Sequence, residues 1–216
     1  MTDRLDYIKS LYGASYRTYG DSPSSLLTPK GRNELRFRAI DPFVIDAGTR
    51  VLDYGCGLGY LYRYLRMRGH QVEYTGYDIL PDFVQACAEK YPEASFKQID
   101  ALGEIVGEYD VVFASGVFNL RTHSDAADSK AYAFDRISAL FAQAQKVLVC
   151  DFPSAFVDFE QSGAQHFSPG EIAEFCYRRL GRRFQVRHDF LPYEFTLIVW
   201  RDDAIKRPDN VFAVDG

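Results

Sequence analysis

The chain has 216 residues, 47% hydrophobic and 25% charged, which suits one ordinary globular domain with a substantial core. It carries 16 Gly, 9 Pro and no low-complexity tract, so disordered and fibrous classes are excluded. Its 25 basic and 30 acidic residues leave a net charge of -5, which argues against nucleic-acid backbones or anionic membranes as partners.

No apolar run reaches membrane-spanning length, and the acidic start Met1-Thr2-Asp3 lacks the basic-then-apolar order of a signal peptide. A cytoplasmic location is the expectation. Cys56, Cys87, Cys150 and Cys176 match neither zinc pairs nor a CxxC motif and read as reduced core residues. The 15 Tyr and 17 Phe are more unusual, because a tyrosine hydroxyl wants water or a partner and so favours a half-buried pocket wall.

In chain order, Tyr7, Tyr12, Tyr16 and Tyr19 flank a loop predicted over 13–29, followed by a helix over 30–44. This segment, 1–49, reads as a small helical cap belonging to the same domain as 50–216. From Arg50 onward, β-branched and aromatic runs alternate with helical stretches, which predicts a parallel sheet with helices on both faces. Strands are expected at 51–54, 72–77, 95–99, 110–114 and 146–150, and helices at 60–68, 81–90 and 125–143. Ser168-Pro169-Gly170-Glu171 reads as an N-cap, a first-turn proline and a capping-box acid opening a helix to 180. The last two strands, 183–190 and 195–200, are joined by only four residues and must pair antiparallel, giving seven strands in an α/β fold.

The sharpest motif is Asp53-Tyr54-Gly55-Cys56-Gly57-Leu58-Gly59-Tyr60, a buried strand turning through glycines into a helix. Such a turn lets a ligand approach the backbone and the helix N-terminus. Tyr60 stands where a dinucleotide fingerprint needs a small residue. No Gly-Lys-Ser/Thr follows, so a phosphate-gripping loop fails. Asp53 would repel a pyrophosphate yet suits an ammonium group. Two further acids, Asp78 and Asp100, end the second and third strands. Asp78 also fits a helix cap.

Together, Asp53-x-Gly55-x-Gly57-x-Gly59, Asp78 and Asp100 resemble the cofactor motifs of class I S-adenosylmethionine-dependent methyltransferases. The resemblance implies a Rossmann-like seven-stranded sheet whose last strand is antiparallel, and S-adenosylmethionine as cofactor. It assigns Asp53, Tyr54, Gly55, Cys56 and Gly57 to the methionine part, Asp78 and Ile79 to the ribose, and Asp100 and Ala101 to the adenine. Ser115 is grouped with them, and Arg36 is placed to fork onto the cofactor's carboxylate. Tyr19-Gly20-Asp21-Ser22-Pro23, Arg36-Phe37, Ser115-Gly116-Val117-Phe118-Asn119 and His188-Asp189-Phe190 with Tyr193-Glu194-Phe195-Thr196 resemble a bacterial subgroup whose members often sit among enzymes that build surface glycans or small natural products. On that likeness the acceptor is a small molecule or glycan methylated at oxygen, with Tyr16, Tyr19, Phe118 and Asn119 contacting it. Rival readings are a cofactor-binding module without turnover and a nicotinamide-dependent oxidoreductase.

Methyl transfer is an in-line displacement that needs positioning and no metal. A hydroxyl acceptor benefits from a general base, for which His123, after the fourth strand, is the first candidate and His166, after the fifth, the second. Tyr7, Tyr12, Tyr16 and Tyr19 of the cap, Tyr54 and Tyr60 at the glycine loop, Phe118 after the fourth strand, and Phe152 and Phe156 after the fifth are expected to wall the sulfonium.

Overall fold

The computed structural model of the chain describes residues 2–28, 31–100, 105–202 and 204. Seven strands, β1 (Thr49–Tyr54), β2 (Val72–Asp78), β3 (Ser95–Gln98), β4 (Tyr109–Ala114), β5 (Ala144–Pro153), β6 (Phe184–Arg187) and β7 (Glu194–Trp200), form one sheet in the order β3-β2-β1-β4-β5-β7-β6. The first five run parallel, and β7 lies antiparallel to both β5 and β6. The hairpin connection is longer than expected, since β6 stops at Arg187 and β7 begins at Glu194.

The central strands are nearly continuous apolar runs because both faces are covered. Alternate residues divide between two cores. Leu52, Val112, Leu148 and Leu197 face one core, with Ile137 and Leu140 of α5 (Ala126–Gln143) and Ile172 and Phe175 of α6 (Pro169–Arg179). Val51, Val111, Val149 and Ile198 face the other, with Leu61 and Leu65 of α3 (Tyr60–Met67) and Phe83 of α4 (Pro81–Lys90). Asp125 caps α5 by accepting from the amides of Ala127 and Asp128. Ser168 stands at the N-cap of α6 without a side-chain cap bond, and Glu171 pairs with Lys130 at 2.7 Å instead.

The N-terminal segment departs most from expectation. No loop begins at Gly13: α1 spans Thr2–Tyr19. Leu5, Ile8, Tyr12 and Tyr16 repeat at helical spacing, and Tyr12 and Tyr16 set their edges against Phe83, with ring centroids 6.5 and 5.4 Å apart. Gly13 lies against its neighbours, where an added Cβ would sit 3.4 Å from the Arg17 guanidinium and 3.8 Å from Leu80. A short 3-10 turn at Pro23–Leu26 follows. The helix expected over 30–44 is shorter, with α2 at Arg32–Phe37 and a 3-10 turn at Asp41–Phe43. Lys30 lies outside the described residues.

Candidate active site

The glycine loop leaves the carboxyl end of β1 with Gly55 at φ 78° and Gly57 at φ 52°, a region that L side chains enter only with strain. Space is short as well. A Cβ at Gly57 would lie 2.9 Å from Leu26, and one at Gly55 2.5 Å from Val117. The amides of Gly55 and Cys56 both donate to the Tyr77 carbonyl, which ties the loop to β2. Asp78 completes the tie, accepting at one oxygen from the Gly57 amide and at the other from the Leu80 amide, each at 2.9 Å. Asp78 therefore does hold the turn into α4, and its two oxygens keep further lone pairs for a ligand.

Burial dominates the electrostatics. Asp53 is pushed up to about 7 by burial, with Asp78 and Asp151 adding negative charge and a hydrogen bond donated by the Tyr74 hydroxyl opposing the rise. Asp78 is also raised by burial, against the amides that bond it. The Cys56 thiol is held well above its ordinary range by a hydrogen bond with Cys87 and by burial, so it is no nucleophile.

These residues line one cavity of about 680 Å³, within the size range of small-molecule sites. Asp53, Tyr54, Gly55, Cys56, Gly57 and Asp78 form one end, with Ile79 beside them. Ser115, Asn119 and His166 contribute from the loops after β4 and β5, and Tyr12, Leu26 and Arg36 from the N-terminal segment. The glycine-loop end thus offers two buried carboxylates and a backbone that a ligand can touch. That donor set fits a cationic aminoacyl nucleoside and opposes a pyrophosphate.

Comparison with known proteins agrees with this geometry. Residues 52–151 match a family described as a methyltransferase domain. A Mycobacterium tuberculosis protein named as a methyltransferase, Rv1506c, is 29% identical over 163 residues, covering 74% of this chain and 95% of that one. The chain carries a methyltransferase domain, and its cofactor is S-adenosylmethionine. Two solved structures share the fold of this methyltransferase. The magnesium protoporphyrin IX methyltransferase of Synechocystis PCC 6803 with bound S-adenosylhomocysteine has a TM-score of 0.63 at 20% identity, over 91% of this chain and 97% of that one. The CcbJ methyltransferase of Streptomyces caelestis has a TM-score of 0.64 at 13% identity, over 91% and 99%. No described helix of the methyltransferase is long and apolar enough to cross a membrane.

Also lining the cavity, Arg36 of α2 lies buried and forks onto Glu194 at the start of β7, with both bonds 2.7 Å. Arg32 adds a 3.1 Å contact to the same carboxylate, and Asp151 lies 4.0 Å from Arg36. Burial works against the Arg36 charge, but Asp151 and Glu194 outweigh it and raise its pKa. Glu194 was not anticipated from the sequence. In the sequence it stands only within the Tyr193-Glu194-Phe195-Thr196 run of the subgroup resemblance and as a charged residue opening the apolar run 194–200.

Other expected site residues lie elsewhere in the methyltransferase. Phe118 is buried against Phe152, stacked at 5.4 Å, and builds core. Tyr16 packs on Phe83, while Tyr19 and Asp100 are exposed. None of the four lines the cavity, and Ala101 is outside the described residues. Of the expected aromatic wall, Tyr12, Tyr54 and Tyr60 line it, whereas Phe156 is exposed. The histidines separate too. The His123 ring packs on Tyr132 and its Nδ1 meets the Thr122 hydroxyl, off the cavity, but His166 lines it.

Proposed function

We propose that this methyltransferase acts on a small-molecule or glycan acceptor, at oxygen, inside the cavity that also takes the cofactor. The continuity of that cavity carries the reading: it runs from the glycine loop and Asp78 to Asn119, His166 and Glu194 beneath the N-terminal segment. A cavity of this size suits a compact acceptor better than a polymer. The magnesium protoporphyrin IX enzyme, which shares the fold, has a small-molecule acceptor by name.

The cofactor, when bound, supplies an electrophilic methyl group on a sulfonium. Asp53 and the Gly55–Gly57 backbone would hold its aminoacyl part, and Asp78 with Ile79 its ribose. Tyr12, Tyr54 and Tyr60 line the same space, and aromatic surroundings favour a cation. The N-terminal segment would act as a cap, since α1 and the turn at Pro23–Leu26 supply Ile8, Tyr12 and Leu26 to the wall. Holding acceptor and methyl in line is worth about 7 to 11 kcal/mol in general.

Isothermal titration with S-adenosylhomocysteine and with NADH tests the cofactor assignment. Binding of the first and not the second is expected. Methyl transfer from labelled S-adenosylmethionine to hydroxyl-bearing small molecules and oligosaccharides tests the acceptor. Transfer only to a protein or nucleic acid would overturn it.

A further inference from the structure

We propose that His166 Nε2 takes the proton of the group that receives the methyl, and that this group is a hydroxyl seated between His166 and Asn119. The inference rests on the methyl-transfer reading above. His166 Nδ1 lies 2.8 Å from the Ser154 carbonyl oxygen. A carbonyl only accepts, so Nδ1 carries the hydrogen and Nε2 presents its lone pair. That Nε2 is buried, has no hydrogen-bond partner and belongs to a residue lining the cavity. Asn119 lines the same cavity, and its Oδ1 is likewise buried without a partner. Buried polar atoms are normally satisfied, so two orphans on side chains that line one cavity point to a ligand that satisfies them.

The backbone is built to hold this pair. Leu120 and Ala164 form an antiparallel bridge, flanked by bonds of 2.9 Å from the Gln165 amide to the Asn119 carbonyl and from the Arg121 amide to the Gly163 carbonyl. On the other side of His166, Phe167 exchanges backbone bonds with Pro153 and Ala155. The loops after β4 and β5 are thereby zipped together at the acceptor end.

A hydroxyl uses such a base best, because its proton must leave as the methyl arrives. An amine can attack through its lone pair and lose a proton later. In the step assigned here, the acceptor O–H bond breaks, its proton goes to His166 Nε2 and its electron pair forms the O–CH3 bond. The S–CH3 bond breaks with its pair staying on sulfur, and the imidazolium afterwards returns the proton to solvent. The Asn119 amide, with a donor and an acceptor, orients the hydroxyl.

The test uses the full chain, S-adenosylhomocysteine and a panel of 4-substituted phenols with matched anilines. Asparagine at 166 can still donate to the Ser154 carbonyl but has no Nε2, so H166N separates catalysis from structure; H166Q serves if H166N does not fold. Expected are methylation of phenols, a loss in kcat of about 10²- to 10⁴-fold in the variant, and unchanged affinity for S-adenosylhomocysteine. The loss should be smaller for 4-nitrophenol, already largely ionised, than for 4-methoxyphenol. N119A should raise KM more than it lowers kcat. Independently of turnover, nitrogen NMR should show His166 as the Nδ1-protonated tautomer. Wild-type kcat in H166N, an Nε2-protonated His166, or methylation of anilines but no phenol overturns the proposal. Failure of the wild-type chain to bind S-adenosylhomocysteine would instead sink the cofactor reading beneath it.

Discussion

At Gly57 the two requirements of the turn coincide, a left-handed φ of 52° and a Cβ direction closed off by Leu26 at 2.9 Å. An L residue there costs about 1 to 2 kcal/mol in backbone strain alone, and a valine would also stand in the way of a ligand approaching the loop. Gly57→Val is expected to melt a few degrees lower and to bind S-adenosylhomocysteine at least tenfold more weakly by titration calorimetry. Unchanged affinity in a folded variant would refute the placement of the cofactor at this loop. Asp53 makes a separate prediction about pH. Its carboxyl is raised to about 7 in the folded chain, against about 3.9 for an unperturbed aspartate. Between these values the folded state holds more protons than the unfolded one. The Asp53 contribution is therefore fully present below about pH 4 and lost as pH rises through 7. Asp53→Asn keeps an acceptor for the Tyr74 hydroxyl and cannot titrate, so its urea midpoint should fall less than that of the wild type between pH 5 and pH 8. Parallel curves would remove Asp53 as the source.

Between elements, the pair of Arg36 and Glu194 joins α2 to β7 across 158 residues of chain, and both side chains are buried. Truncating one partner of a buried pair typically costs about 3 to 5 kcal/mol, and without Glu194 the Arg36 charge keeps only the more distant Asp151, 4.0 Å away. Glu194→Ala should show a loss of that order in urea denaturation, and a change below 1 kcal/mol would mean that solvent reaches Arg36 readily. This contact also shows where sequence reading stops. The strands at 51–54 and 110–114 were legible because burial on both faces writes a nearly continuous apolar run into each. The glycine loop was legible because its chemistry is local. The Arg36 partner was not, since nothing near Arg36 in the chain marks Glu194. Gly13 misled for a related reason: glycine is a poor helix former in isolation, but the contacts of Tyr12 and Tyr16 with Phe83 carry α1 through it. By position the sequence ranked His123 ahead of His166, the reverse of their places relative to the cavity. Only the Ser154 carbonyl and the course of the two loops distinguish them.

For the whole molecule, the cavity draws its walls from α1, α2, the glycine loop and the loops after β4 and β5, so a ligand in it should stabilise the fold as a unit. A ligand at 100 times its Kd adds about 2.7 kcal/mol, which for a chain of this size raises the melting temperature by about 5 to 10 °C. S-adenosylhomocysteine should produce such a shift and NADH none. Asp78 decides how much of the shift belongs to the ribose site. A hydrogen bond to a charged acceptor is worth about 1.5 to 3 kcal/mol, so Asp78→Ala should weaken the ligand by about 10- to 150-fold. At the same ligand concentration the stabilisation then falls to about 1.4 kcal/mol or less. The unliganded variant should also melt lower, because the Gly57 and Leu80 amides lose their acceptor. The two roles are separable in one differential scanning experiment with and without S-adenosylhomocysteine. A lower melting temperature with the full ligand-induced shift retained would leave Asp78 as a turn residue alone, and would move the ribose to another part of the cavity.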